Sequence, residues 1–179
     1  MSDTATLLQI DLQNLFYAAK SKGQRIDFEK MWDHFSQRDS EFMTDAIVYM
    51  IRSPEFNTSK FETKLKSIGY TLRIKNSTKT VRKGEVIYKA NQDVAITVEC
   101  IDKLNTFNKL ILMSGDGDFS DLCIYLKKKR KKIEIWSFKD CYNSDLERYA
   151  DKIHMIENEF FYNPKVSVFG FNWGGPNNA

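Results

Sequence analysis

Cysteine and histidine are scarce in this chain of 179 residues, which has three of the first and two of the second. Cys100, Cys123 and Cys141 are far apart, odd in number and form no CxxC pair. They read as buried thiols in a reducing cytoplasm, and a zinc site is not expected. His34 and His154 have no ligand-like neighbour in sequence. No apolar run is long enough to span a bilayer. The opening residues, Met1 to Thr6, lack the basic start and long apolar core of a signal peptide, so the expected location is cytoplasmic. There is no internal repeat, no Walker-type loop and no GxGxxG phosphate loop. Charge of neither sign dominates: the formal net charge is +3, so the choice of partner must rest on where the charges sit.

What is present is a globular composition, 42% hydrophobic with 13 phenylalanines, on a chain long enough for one domain with a full core. Residues 1–162 read as that domain. Residues 163–179 form a Pro/Gly/Asn-rich tail, partly ordered, in which Phe169, Phe171 and Trp173 could pack back. Leu7 to Asp11 reads as a buried strand ending in a carboxylate, followed by a helix from Leu12. Phe28, Met31, Trp32 and Phe35 share one face of a second helix, with Asp27 as its N-cap. Ala46–Ile51 is a second buried strand. A capping box, Ser59 with Glu62, opens a helix that Gly69 ends. Tyr70–Lys75 alternates and so belongs near a sheet edge.

Residues 76–84 are polar and basic, a loop or hairpin leading into Glu85–Lys89. Asp93–Cys100 has strand propensity but reads as helix, because Asn91 can cap it and Ile96, Cys100 and Leu104 share a face. Leu110–Met113 is an unbroken apolar run, a central strand of a parallel sheet. It stops at Ser114-Gly115-Asp116-Gly117-Asp118-Phe119, where the glycines let the chain turn tightly. A helix from Asp121 runs into Lys127–Lys132, Ile133–Phe138 is another strand, and Ser144 with Glu147 reads as a second capping box. A short strand over Ile153–Ile156 closes the domain. Strands alternating with helices imply a three-layer α/β/α sandwich with a mostly parallel central sheet.

Asp11, Asp93, Asp116 and Asp118 all stand where a strand ends or a helix begins. Alone, Gly-Asp-Gly-Asp is equally a turn in which Asp118 or Ser120 caps the next helix. If the strands that end at Asp11 and Asp116 are neighbours, however, the carboxylates meet at one sheet edge. Two unit charges about 5 Å apart repel by roughly 3 kcal/mol at an effective dielectric near 20. No Lys or Arg is adjacent in sequence to any of the four, which favours a bound divalent ion. Hard oxygen donors point to Mg²⁺ or Mn²⁺. Such an ion can activate water against a phosphodiester, and a basic surface should accompany it. Three segments qualify: Lys20/Lys22/Arg25; Lys75 to Lys89 with Arg82 and Lys83; and Lys127–Lys132, including Lys128 and Arg130. The last is equally a solvated helix end.

These residues resemble a known family. Ile10-Asp11-Leu12-Gln13-Asn14-Leu15 is similar to the I-D-x-x-N-L start of the NYN family of PIN-like ribonucleases. Asp93-Val94-Ala95-Ile96 resembles its D-V-x-L helix start. Ser114 to Phe119 matches its S-G-D-x-D-F signature, and Ser144-x-Leu146 with Ala150-Asp151 is similar, one residue shorter in its first part, to its S-x-x-L…A-D element. The resemblance implies a PIN-like fold and metal-dependent RNA cleavage, and the expected activity is endonucleolytic, on single-stranded or structured RNA. It places Asp11, Asp93, Asp116 and Asp118 at the metal, with Asn14 and Ser114 orienting ligands or water. Two departures stand out. Glu99 replaces a second helical Asp, and the lysine-rich run replaces a Gly before the next strand. The competing readings are an inactive module that binds RNA or a protein, and an aspartate-nucleophile phosphatase. The latter is disfavoured because Asp11-Leu12-Gln13 has no second Asp at i+2. Homo-oligomerisation is left open.

Overall fold

The computed structural model describes residues 4–54, 57–82 and 85–162, without the side chains of 79–82 and 85–89. The elements run β1 (Thr4–Asp11), α1 (Leu12–Ser21), α2 (Phe28–Ser36), β2 (Glu41–Arg52), α3 (Ser59–Ile68), β3 (Thr71–Asn76), β4 (Thr78–Arg82), β5 (Glu85–Lys89), α4 (Asp93–Asp102), β6 (Lys109–Met113), α5 (Ser120–Lys128), β7 (Lys132–Ser137) and β8 (Lys152–Met155). The tail with Phe169, Phe171 and Trp173, and Lys83 of the basic segment, lie outside the described residues.

Six strands form one sheet in the order β3-β2-β1-β6-β7-β8, and every pairing in it is parallel. The chain winds outward from β1 to β3, then returns to β6 beside β1 and winds the other way. The switch point therefore falls between β1 and β6, where open α/β sheets bind their ligands. Alternation along the strands splits the core in two. Leu8, Ile10, Val48, Met50, Ile111 and Met113 pack with residues of α1, α2 and α3. Leu7, Ile47, Tyr49, Leu110, Leu112, Ile133 and Ile135 pack with α4 and α5. Each fully buried aliphatic chain contributes about 1.5–3 kcal/mol, and both faces of the sheet are supplied with them. The three-layer sandwich is thus the observed architecture.

Several local expectations hold. Asp27 caps α2 by accepting from the Glu29 and Lys30 N–H groups. Gly69 ends α3 at φ +124°, with the Trp32 ring where a Cβ would stand. β3 is an edge strand, and Asp93–Asp102 is helix. Residues 78–82 and 85–89 pair antiparallel as the two strands of a hairpin, a two-stranded sheet of its own.

Both capping boxes are corrected. Thr58 flanks α3, and the Ser59 hydroxyl turns back to Asn57 Oδ1 at 2.7 Å. Glu62 accepts instead from Thr58 and from Nε and Nη2 of Arg52; a fork of charged donors outcompetes a single backbone N–H. Ser144 opens a 3₁₀ turn capped by Asn143, whose side chain accepts from the Asp145 N–H. Cys100 and Cys123 are buried beneath α4 and α5. Burial pushes both thiols up to about 12, so neither is a nucleophile near neutral pH.

Candidate metal centre

The register of β1 on β6 pairs Gln9 with Leu112 and Ile10 with Met113. One step further puts Asp11 opposite Ser114, both with the parity of the α4/α5 face. There the Ser114 hydroxyl donates to Asp11 Oδ2 at 3.1 Å, and the Asn14 N–H donates to Asp11 Oδ1 at 3.3 Å. Asn14 also accepts from the Gly115 N–H at 3.2 Å. The three residues thus tie the end of β1 to the start of the Gly-Asp-Gly-Asp loop.

Asp93 arrives from the other side. Its N–H bonds Asn91 Oδ1 at 2.6 Å, and the Asn91 amide donates to its carboxylate. Gln92, nearly buried, donates to the carbonyls of Met50 and Arg73 at the ends of β2 and β3. Gln9 donates from β1 to the Ile96 carbonyl at 3.1 Å. These two glutamines, which no sequence motif marks, dock α4 on the sheet so that its first turn reaches the carboxyl edge.

In the loop after β6, Asp116 Oδ1 accepts from the Asp118 N–H at 3.0 Å. Asp116, not Asp118, is therefore the capping residue. The glycines act through space rather than rotation, since neither has positive φ. A Cβ on Gly115 would stand 2.2 Å from the Cys141 carbonyl oxygen and from Ser137 Oγ, and one on Gly117 would stand 2.3 Å from Asn143 Nδ2. Asn143 closes the clamp, its N–H bonding the Gly115 carbonyl at 2.9 Å. It is a positioning residue that sequence reading missed; its one signal is an Asn ahead of Ser144-Asp145.

Carboxylate oxygens of Asp93, Asp116 and Asp118 all lie within 4.8 Å of one another. Oxygens around an octahedral ion at about 2.1 Å are roughly 3.0–4.2 Å apart, so a small closure gives a three-carboxylate seat. Asp11 stands behind it at 6% exposure. Burial, with smaller contributions from Asp93 and Asp116, raises its carboxyl to about 6 against the pull of Asn14 and Ser114. Burial and the charges of Asp116 and Asp118 also raise Asp93, against its Asn91 hydrogen bond.

The contrast with the other acids is informative. Glu134, 2% exposed, has Arg38 and Lys109; Glu62 has Arg52 and Asp45 has Lys103. Among the described residues, none of Asp11, Asp93, Asp116 and Asp118 has an ion-pair partner. Glu134, Glu62 and Asp45 are each neutralised by a basic side chain, whereas this cluster is built from the hard oxygen donors that suit Mg²⁺ or Mn²⁺.

Glu99 belongs to the first group. Arg73 grips it with two bonds, 2.6 and 2.8 Å, and Tyr49 donates to it at 3.0 Å. It is absent from the three-acid seat.

The basic segments separate. Arg82 and Lys89 lie on the hairpin, which leaves β3 at the carboxyl edge and re-enters at α4. Lys127, Lys128 and Arg130 lie at the far end of α5, about 13 Å along its axis, where Lys127 pairs with Asp151 at 2.7 Å. Arg130, at φ +57°, fills the left-handed position of a Schellman closure, with Lys131 N–H on the Leu126 carbonyl and Arg130 N–H on that of Lys127. That is the place where the resemblance leads one to expect Gly. Lys22 pairs with Asp140.

A parallel α/β/α sheet carrying an acid cluster at its switch point is the arrangement of a PIN-like nuclease fold, and the family match agrees. The profile of the NYN domain family matches residues 5–157, and the chain belongs to that family. It is similar to the Low amplitude and bright protein LabA of Synechococcus elongatus, 26% identical over 147 residues, 80% of this chain and 78% of that protein. In three dimensions it resembles a protein of unknown function from Vibrio parahaemolyticus, with a TM-score of 0.76 and 23% identity over 89% of this chain and 97% of that one. That likeness is one of fold. Among the described residues no helix is long and apolar enough to cross a membrane.

Proposed function

We propose that this domain is a Mg²⁺- or Mn²⁺-dependent ribonuclease, endonucleolytic in action and working in the cytoplasm. The observation that carries the reading is the acid cluster at the switch point between β1 and β6, which no described cation neutralises. Asp93, Asp116 and Asp118 would hold the ion, with Asp11 behind them as a fourth carboxylate. When bound, the ion supplies Lewis-acid activation of water and neutralises charge on the phosphodiester.

The chain's own residues perform the rest. Ser114 and Asn14 hold Asp11 in one orientation through 3.1 and 3.3 Å hydrogen bonds. Asp11, raised to about 6 without an ion, becomes a stronger acid when positive charge arrives beside it. Already largely ionised at neutral pH, it is then held fully so and can accept a hydrogen bond from water. Asn143 and the two glycines keep Asp116 and Asp118 at their spacing.

The test is cleavage of labelled single-stranded and structured RNA with Mn²⁺ by wild type, Asp11→Asn and Asp116→Asn. The expected result is cleavage by wild type alone, with internal cuts. Equal cleavage by all three proteins would mark a contaminant and remove the proposal. RNA binding without Mn²⁺-dependent cleavage would leave a binding module instead.

A further inference from the structure

We propose that the β4–β5 hairpin is the arm along which a single-stranded RNA backbone approaches the acid cluster. This deepens the ribonuclease reading and rests on it for the identity of the ligand. β3 delivers the chain to the carboxyl edge at Asn76, and the Ser77 N–H bonds the carbonyl of Arg52, the last residue of β2, at 2.9 Å. The return strand ends at Lys89, and Asp93 opens α4 just beyond. Lys75 Nζ donates to the Asn91 carbonyl at 3.0 Å, tying the two stems together. Both ends of the hairpin are therefore rooted beside Asp93, and its five-residue strands extend about 17 Å at ~3.4 Å per residue.

Charge gives the second observation. Residues 75–89 hold five basic residues and one acidic one, a net +4, against +3 for the whole chain, so the remainder carries −1. The chain has a second basic stretch, the six consecutive basic residues Lys127–Lys132, but that run leads into β7 at the opposite sheet edge, and residues 75–89 are the basic segment rooted at the acid cluster. A carboxylate cluster repels a polyanion, and a neighbouring cationic strip is what brings phosphates to it.

The third observation is that the hairpin is a sheet apart from the six-stranded one. Among the described residues no third strand pairs with it, so the ribbon is left open to a ligand along its length. Single-stranded RNA fits better than duplex, because the major groove of A-form RNA is too deep and narrow for a ribbon. Lys75, Lys79, Arg82 and Lys89 are the residues that the topology brings to this arm.

The experiment measures binding apart from cleavage. Fluorescence anisotropy of a labelled oligouridylate is followed in EDTA over a range of KCl for the full chain, for Lys79→Gln/Arg82→Gln/Lys89→Gln, for Lys79→Arg/Lys89→Arg, and for Lys128→Gln/Arg130→Gln. Each phosphate contact contributes about 0.7 to the slope of log K against log salt for single strands. The triple variant should therefore lose about two from that slope and bind at least tenfold more weakly, with an unchanged thermal midpoint. The charge-keeping variant should match wild type, and the α5 variant should stay within about twofold. Unchanged slope and affinity in the triple variant would overturn the proposal, as would an equal loss in the α5 variant. So would binding of polyglutamate in preference to RNA. Hairpin-dependent binding without Mn²⁺-dependent cleavage would keep the arm and remove the nuclease. Cleavage with hairpin-independent binding would do the reverse.

Discussion

The Ser114 hydroxyl donates to the Asp11 carboxylate across 3.1 Å, joining two residues 103 positions apart in the chain. The bond exists because β1 and β6 are neighbours in parallel register, and it sets the orientation of the most buried acid at the site. It does not neutralise that acid, whose carboxyl remains raised to about 6.

A folded carboxyl above its unfolded value of about 3.9 means that the native state holds its proton longer. Its ionisation therefore costs stability as pH rises from about 4 to 6, and the full cost of about 3 kcal/mol is present above pH 6. Asp11→Asn should raise the thermal midpoint at pH 7.5 and leave it unchanged below pH 4. Mn²⁺ should raise the wild-type midpoint more at pH 7.5 than at pH 5, and chelation should reverse that gain. Calorimetry across pH checks both; an Asp11→Asn effect independent of pH would refute the assignment.

Glu99 is neutralised by Arg73 and fixed by Tyr49. Glu99→Gln should lower stability by about 1 kcal/mol, the scale of a half-exposed bidentate pair. Isothermal titration with Mn²⁺ should give the wild-type affinity within about twofold, whereas Asp116→Asn should lose at least tenfold. A comparable loss in Glu99→Gln would place it at the metal after all.

The two glycines of the loop should respond differently to alanine. Gly115→Ala meets a backbone carbonyl and should destabilise by about 2–3 kcal/mol, with Cys141→Ala giving no relief. For Gly117→Ala the three nearest atoms all belong to the Asn143 side chain. Combining it with Asn143→Ala should recover about 1 kcal/mol as a coupling energy in a double-mutant cycle. Additive effects of Gly117→Ala and Asn143→Ala would show that the two do not touch.

Arg130 occupies a left-handed position that suits glycine. Arg130→Gly should therefore stabilise the protein by about 1 kcal/mol. Denaturant unfolding reads this directly, and a destabilised variant would mean that the guanidinium does more than close α5.

Much of the fold was legible because it depends on local pattern. The apolar run at Leu110–Met113 needs burial on both faces, and the alternation at Tyr70–Lys75 needs one wet face; the first is central and the second an edge. The helical reading of Asp93–Asp102 depended on Ile96 and Cys100 sharing a face, and both are buried. The capping boxes failed for a local reason as well. Ser59 and Ser144 each stand next to a residue, Thr58 or Asn143, that takes the flanking position, and spacing alone cannot rank adjacent polar residues.

The acids were visible as residues at strand ends, yet their partners were not. Gln9, Gln92 and Asn143 act through contacts with segments distant in sequence, and no motif carries them. The glycines were correctly noticed for the wrong property: their backbone angles are ordinary, and what they supply is room for residues 137–143.

By itself, then, the sequence determined the alternation of strands and helices, the buried runs, and which carboxylates stand at strand ends and helix starts. These follow from periodicity and from the chemistry of single residues. The tertiary structure alone decided that Asp93, Asp116 and Asp118 converge while Glu99 turns to Arg73. It also decided that the hairpin shares the acid edge while Lys127–Lys132 lies at the other. Strand order sets which ends become neighbours, and electrostatic effects depend on distance in space, which separation along a chain does not encode.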